Sequence, residues 1–453
     1  MLGRVGSFLS NIAVALWGKF DSREEVRKFA YLALIFGLII GVYWTLRPIK
    51  DSVFMAVVGP DYLWLAKILS LCMISPLVVL YGKLIDMYPR HKVFYALAAV
   101  YGPAAILFGL FFMHPELGLM NKTADFWRIS GWAWYVFVES FGSLVVALFW
   151  AFTADTTAPD SAKRGFPIIA MAGQLGNILG PRYLNTKKLG LLTSAPIIVI
   201  CGSLVILLGF VFWYFMRVTP AEQLVGYRGA ESTAKKKGSE PGFLEGLRLL
   251  LTESYLFGIF LIIGLYELVV TIIDNHFKVT VASCCAGEGA MSAFLSNYAE
   301  WVGIIAFLSI LLGINNITRY LGMFASLVML PVLMGGFIVL IYFNQTSALL
   351  PFWIMVFSKA VNYALNQPTL KQLYIPTSHD AKYKSQAWLE MFGSRGSKAA
   401  ASFYNGLKSV WSLNLFMTVT LFASFGIVGL WLVVVTHVSK LYGKAIKNNE
   451  VVC

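Results

Sequence analysis

Apolar positions run along this chain in long blocks rather than in alternation. Uninterrupted stretches of about 20 apolar residues are the length that crosses a bilayer as a helix. The blocks place candidate spans near 29–56, 63–84, 93–113, 131–155, 166–184 and 194–216, then near 255–279, 291–313, 319–343, 349–371, 386–408 and 414–437. Between the two sets lies "RVTPAEQLVGYRGAESTAKKKGSEPG", polar and rich in Gly, Ser and Lys, without hydrophobic period. Such composition reads as a linker. At the start, Val5, Phe8, Leu9, Ile12 and Leu16 recur at helical spacing over a run too short to span. That pattern predicts an amphipathic helix lying in the membrane interface.

Two stretches repeat each other. "DSAKRGFPIIAMAGQLGN" begins at Asp160 and "DAKYKSQAWLEMFGSRGS" at Asp380, and they align Met171 with Met391, Gly173 with Gly393 and Gly176 with Gly396. Each starts in the loop after the fourth span of its set and runs into the fifth. The repeat predicts an all-α membrane protein, a major-facilitator-like bundle of 12 transmembrane helices in two pseudo-symmetric six-helix halves. The organisation expected is 1–216 for the amphipathic helix and first half, 217–243 for a cytoplasmic linker, and 244–453 for the second half. The paired glycines are expected to let helices approach closely, as small residues do in membranes.

Composition agrees with the pattern. The chain is 58% hydrophobic and 13% charged, against about 25% charged in soluble proteins. Its net charge of +13 collects in loops. Arg23, Arg27, Lys28, Lys83, Arg90, Lys92, Lys163, Arg164, Lys235, Lys236, Lys237, Lys440, Lys444 and Lys447 fall on one side, and the opposite loops are poorer, with Arg182, Lys187 and Lys188 the main exception. The bias toward positive charge on the inner side puts both termini in the cytoplasm of a multi-pass protein, and it replaces a nucleic-acid explanation of the charge. The five cysteines have no metal or disulfide spacing, and "EVVC" is not a prenylation box. No phosphate loop, HExxH or nucleophile elbow occurs, so no enzyme, cofactor or metal site is expected.

Charges inside the spans carry the chemistry. A charge at bilayer mid-depth costs about 2.5–3.5 kcal/mol even on the insertion scale, so several together must line a polar cavity. Arg47, Lys50 and Asp51 share a face of the first span, with Tyr43 one turn before and Pro48 expected to loosen the helix. The eleventh span holds Glu390, Arg395 and Lys398, and the tenth holds Lys359. Glu139 and Asp155 lie on the fourth span, Glu267 and Asp274 on the seventh, Glu300 on the eighth. Arg47, Lys50, Lys359, Arg395 and Lys398 outweigh the acids, a balance suited to a multiply charged anion. Tyr43, Trp150, Phe152, Tyr363, Tyr374 and Phe392 are the aromatics near these charges expected to stack on a planar base, and Asp155 or Glu139 the candidate proton carriers.

At these residues the chain resembles the nucleotide transporter family of ATP/ADP antiporters from plastids and intracellular bacteria. "TLRPIKDS", "FWAFTADTTAPDSAKRGFPI", "MSAFLSNYAEWVGIIAF" and "NQPTLKQLYIPTSHDAKYKSQAWLEMFGSRGSKAAAS" resemble its signature segments across both halves. The resemblance implies nucleotide transport by alternating access, by ATP/ADP exchange or related uptake, with phosphates held by Lys and Arg. Lys50 matches a basic residue important for nucleotide binding, Asp155 stands where the family has Glu, Lys384 falls in a Lys-x-Lys segment, and Arg395 and Lys398 fall on the Gly-Ser-Arg…Lys motif. The sequence departs at Asn366-Gln367-Pro368-Thr369-Leu370-Lys371, where the basic residue is displaced, and at Gln386. Those departures keep a proton-coupled importer of nucleotides or a nucleotide-like cofactor, or a carrier of another solute, open beside exchange. The partners expected are a nucleoside phosphate, with phosphate or a proton as second solute, and the lipid bilayer. A monomer in a bacterial inner membrane is expected.

Overall fold

A computed structural model of the chain describes residues 20, 22–224, 248, 250–312, 316–343, 347–374, 376–377 and 389–448. The expected amphipathic helix at the start and most of the linker lie outside the described residues. The described residues form helices joined by turns and loops, the α-helices ending at Phe112 and resuming at Ile129 being linked by the longer stretch 113–128, with no strand among them.

The first half contains α1 (Arg23–Val57), α2 (Leu63–Met87), α3 (Arg90–Phe112), α4 (Ile129–Asp155), α5 (Pro159–Tyr183) and α6 (Ala195–Val218). The second contains α7 (Ser254–Cys284), α8 (Glu288–Leu311), α9 (Asn316–Phe343), α10 (Leu349–Val361), α11 (Gln367–Gln372), α12 (Ser397–Gly406) and α13 (Leu413–Asn448). A π-helical turn at Asn362–Asn366 joins α10 to α11, and another at Leu389–Gly396 leads into α12. Among the described residues nine helices are long and apolar enough to cross a membrane. The expected fifth, tenth and eleventh spans are the exceptions. α5 carries Arg164, Gln174 and Asn177, and the other two are interrupted by the π turns. Such turns are uncommon and concentrate at functional sites.

α1 begins on Ser22, whose hydroxyl accepts from the Glu25 amide at 3.1 Å, with Glu24 and Glu25 in the first turn where the helix dipole favours acids. Its 35 residues extend roughly 52 Å at 1.5 Å per residue. It is continuous through Pro48, so the loosening expected there does not break the helix.

Helix pairing repeats between halves. α1 packs on α5 and α3 on α6; correspondingly α7 packs on α12 and α9 on α13. Contacts between halves obey the same relation, with α2 against α12 and α8 against α5, and α8 also against α1. The duplication read in the sequence therefore governs which helices touch.

The paired glycines do not behave alike. In the first half a Cβ on Gly176 would collide with the Gly37 carbonyl oxygen, and one on Gly180 would lie 2.7 Å from Thr45 Oγ1. The α1–α5 crossing is thus a backbone-to-backbone contact. In the second half a Cβ on Gly393 would stand 3.3 Å from the Phe260 ring, and one on Gly396 would meet nothing within 4 Å. The expected close approach therefore holds for Gly173, Gly176 and, against a side chain, Gly393, but not for Gly396, so it is not symmetric between the halves.

Gly176→Ala is expected to lower the thermal stability of the detergent-solubilised protein, with overpacking costing about 1–3 kcal/mol, while Gly396→Ala leaves it unchanged. Equal melting temperatures for the two variants would contradict this packing.

Candidate binding cavity

Helical periodicity brings the polar side chains of six segments to one place. On α1, Tyr43, Arg47 and Lys50 follow one another at four and three residues, and on α4 Tyr135, Glu139 and Ser143 at four. On α7, Glu267, Thr271, Asp274 and Lys278 form a stripe of the same kind. These stripes, with Lys67 of α2, Lys359, Lys371 and the Arg395/Lys398 pair, line a cavity of about 490 Å³ between the halves. That volume falls in the ordinary range of small-molecule sites, about 300–1,000 Å³. Each π turn sits beside a cavity cation, Lys359 just before the first and Arg395 within the second.

The cavity has a floor made of alternating charge. Lys50 hydrogen-bonds to Glu139 and lies 3.6 Å from Asp51. Asp51 accepts from Lys278 at 2.8 Å, Lys278 also holds Asp274 at 2.8 Å, and Asp274 accepts from Lys67 at 2.9 Å. Lys50 and Asp51 are each 3% exposed. Two of these bonds, Asp51–Lys278 and Lys67–Asp274, cross from one half to the other. Higher in the cavity Lys398 stands 3.4 Å from Glu267, which also accepts from Ser394 at 3.2 Å.

The balance of charge is cationic. Eight Lys or Arg side chains and three acids line the cavity. Among the residues whose side chains are described, Arg47, Lys359, Lys371 and Arg395 have no carboxylate within 4.0 Å. Arg47 lies over the Trp44 ring at 4.9 Å and Lys359 over Tyr266 at 5.6 Å. Cation–π contact moderates such charges but leaves them cationic. Their fields add in a site walled by low-dielectric protein and lipid, so the cavity attracts anions, most strongly those with several charges.

Of the residues expected from sequence, Tyr43, Arg47, Lys50, Glu139, Lys359, Arg395 and Lys398 come together here. Asp155 and Trp150 are not among the lining residues. Asp155 closes α4 and pairs with Arg90 of α3. Trp150 packs in an aromatic cluster with Phe36 and Phe166, ring centroids 5.0 and 5.6 Å away. Asp155 is turned to the opposite side of α4 from the Tyr135–Glu139–Ser143 stripe, whereas Trp150 shares the stripe's face but lies two turns beyond Ser143, where Phe36 of α1 and Phe166 of α5 enclose it. Lys384 lies outside the described residues, as does the side chain of Phe392. Tyr374, expected as an aromatic near these charges, also lines the cavity, whereas Phe152 and Tyr363 are not among its lining residues; the sequence reading passes over Lys67, Tyr135 and Tyr266. Lys67 in "YLWLAKILSLC" is a lone cation in an apolar run, a signal open to the same argument as Lys359. The tyrosines carry no signal that separates them from packing aromatics.

The cavity does not extend equally to both ends of the bundle. It runs from the charged floor past Lys371 to Tyr374 and Leu389, toward the end where α1 begins. At the opposite end, which carries the α5–α6 and α7–α8 turns, the halves are bonded together. Arg182 and Lys188 reach Glu300 at 2.8 Å each, and Thr186 donates to the Gly289 carbonyl at 2.6 Å.

Comparison with known proteins matches the sequence pattern of the TLC ATP/ADP transporter family over residues 6–442. The chain is 24% identical to ADP,ATP carrier protein 1 of Rickettsia bellii and 26% identical to that of Rickettsia prowazekii, over 98% of this chain and 98% of each relative. It is 23% identical to ADP,ATP carrier protein 4 of Rickettsia conorii over 89% of this chain and 88% of that one. Among solved structures, it matches a point mutant of the nucleoside transporter NupG with a TM-score of 0.62 at 14% identity, over 90% of this chain and 99% of that one. It matches a bacterial homologue of the iron transporter ferroportin, in its inward-facing state, with a TM-score of 0.61 at 13% identity, over 91% and 99%. At such identities the structures speak for a major-facilitator-like fold and no more, whereas the sequence match spans nearly the whole chain and both halves of the bundle: the chain belongs to the TLC ATP/ADP transporter family.

Proposed function

We propose that the protein carries nucleoside polyphosphates across the membrane by alternating access, with the phosphates held in the cation-lined cavity between the halves. The observation that carries this reading is the set of cavity cations with no carboxylate partner among the described side chains, Arg47, Lys359, Lys371 and Arg395, above a floor where Lys50, Lys67 and Lys278 are already matched by acids. Membership of an ATP/ADP transporter family and relatives bearing the name ADP,ATP carrier support the nucleotide as the anion.

Within this reading the side chains divide their work. Arg395 and Arg47 offer planar donor pairs that fit two phosphate oxygens at once, while Lys359, Lys371 and Lys398 act as point charges. Lys50 is exchanged between Glu139 and a phosphate oxygen. Tyr43, Tyr135, Tyr266 and Tyr374 are the lining aromatics available to a base. Lys384 of the Lys-x-Lys segment is retained as a contributor from the near end, and Phe392 as a second stacking group. Exchange follows from electrostatics: an empty cavity with this excess of cations is opposed in reorienting through a low-dielectric barrier, and a bound polyanion relieves that opposition. Glu139, which touches Lys50 inside the cavity, is the carboxylate placed to couple a proton if uptake is not strictly an exchange; Asp155, held by Arg90, is the more remote candidate.

The near end, where both termini and the central linker are assigned, faces the cytoplasm in this reading, and the cavity is in its inward-facing state. The bundle makes twelve crossings as a monomer in a bacterial inner membrane, its halves divided at 1–216, 217–243 and 244–453. No enzymatic step is assigned.

Affinity is expected to fall with each phosphate removed, from tri- to di- to monophosphate, and to weaken with added salt as screening grows. Ligand-dependent thermal shifts of the purified protein across that series test this; a nucleoside shifting as strongly as its triphosphate would overturn the phosphate assignment. Arg395→Ala is expected to weaken triphosphate binding by about tenfold or more, the scale of one charge-assisted hydrogen bond, without lowering the ligand-free melting temperature. Lys50→Ala is expected to lower both, because it takes the cation from Glu139 and leaves the buried Asp51 with Lys278 alone. Uptake of labelled ATP into vesicles with and without internal ADP, at two external pH values, separates exchange from proton coupling; Glu139→Gln removes the pH response only in the coupled case.

A further inference from the structure

Closure at the far end depends unequally on two carboxylates of α8. Glu300 has two cations, yet the side chains of Arg182 and Lys188 are 49% and 45% exposed, and exposed pairs are screened and weak. Glu288, in the first turn of α8, is 4% exposed, and no cation pairs with it among the residues whose side chains are described. Its partners are three donors of the other half. The Ser194 amide donates to Oε2 at 2.8 Å, the Ser194 hydroxyl to Oε1 at 2.6 Å, and the Ser52 hydroxyl to Oε1 at 2.7 Å. Gly287, at φ +86°, makes the turn that delivers Glu288 to them. Beside it the halves meet with no side chain between, since a Cβ on Gly289 would collide with the Leu192 carbonyl oxygen.

We propose that Glu288 is the latch that holds the far end of the cavity shut, and that the adjacent residues Asp51 and Ser52 connect this latch to the cavity floor. A buried carboxylate with no counter-cation is stable only while its hydrogen bonds are complete. Losing one donor favours hydration of the others, so the contact is either fully made or fully open. All three donors belong to the first half and the acceptor to the second, so separating the halves at this end must break them together. The connection lies in one turn of α1. Asp51 accepts from Lys278 at 2.8 Å, and the next residue, Ser52, donates to Glu288. An anion that draws Lys278 and Lys50 toward itself competes with Asp51 and loosens the turn that carries Ser52. This second step rests on the cavity being the nucleotide site; the latch does not. Glu288, Asp51 and Ser52 act as positioning residues, not as ligands of the substrate.

The test uses Ser292→Cys in the full chain, purified in detergent. Ser292 lies one turn beyond Glu288 on α8, is 0% exposed and has no hydrogen-bond partner for its hydroxyl, so a thiol there reports opening of the far end. Its maleimide labelling, read on the peptide containing position 292 by mass spectrometry, is expected to be slow in the otherwise unchanged chain. Adding Glu288→Ala is expected to speed it about tenfold or more, and Ser52→Ala, which removes one donor only, about threefold. Ligand-free melting temperatures identify a variant that has failed to fold, and Ser52→Ala then decides. Unchanged labelling in folded Glu288→Ala and Ser52→Ala overturns the latch. Saturating ATP is expected to speed labelling of Ser292→Cys alone and to add nothing in Glu288→Ala. If ATP shifts the melting temperature but leaves labelling unmoved, the Asp51–Ser52 connection is overturned. If ATP produces no thermal shift, the nucleotide reading of the cavity falls with it, and faster labelling in Glu288→Ala still supports the latch.

Discussion

The cost of placing ionic groups in the interior of a membrane protein constrains everything else in this bundle. Each Lys or Arg between the halves is tolerated only if it is paired, hydrated in a cavity, or neutralised by a ligand. The floor of the cavity uses the first solution, with Glu139, Asp51 and Asp274 threaded between Lys50, Lys278 and Lys67. The walls use the second, with Arg47, Lys359, Lys371 and Arg395 left to the cavity. In the proposed function, transport is the third solution made reversible: an anion completes the charge balance on one side of the membrane and is exchanged on the other.

The same constraint explains the irregular helices. A regular α-helix buries every backbone group and shows a fixed stripe of side chains. The π turn at Asn362–Asn366 shifts that stripe, so that Lys359 and Lys371 both line the cavity, and the one at Leu389–Gly396 carries Arg395 three residues before Lys398, which lines it too. The glycine contact of α1 with α5 works in the opposite sense, bringing the two backbones together along Gly37–Thr45, just before the turns of α1 that carry its charges.

The floor and the far end are mechanically adjacent. Asp51 belongs to the ionic floor and Ser52 to the closed end, and α1 has no flexible segment between them. A bundle organised this way does not need a long relay: the turn that senses the anion is the turn that helps to hold the halves together.

Much of this was legible in the sequence. The span pattern, the linker and the repeated Asp…Gly-x-x-Gly stretch predicted two similar halves, because bilayer thickness and helical rise leave an apolar chain few alternatives. Charges in apolar runs predicted a cationic cavity, and Arg47, Lys50, Lys359, Arg395, Lys398, Tyr43 and Glu139 do line one. Tertiary structure alone decided which charges face each other. Asp155 and Trp150 have the same local signal as residues that reach the cavity, but Asp155 is met by Arg90 of α3, and Trp150, on the same face of α4 as Glu139, is enclosed by Phe36 and Phe166. Lys67 pairs with Asp274 across the halves, and Glu288 gathers donors from α1 and the start of α6, contacts between residues far apart in the chain. Periodicity records which face of its own helix a residue occupies. The facing partner depends on helix rotation and crossing, which are set by packing among several helices at once and leave no trace in any single segment.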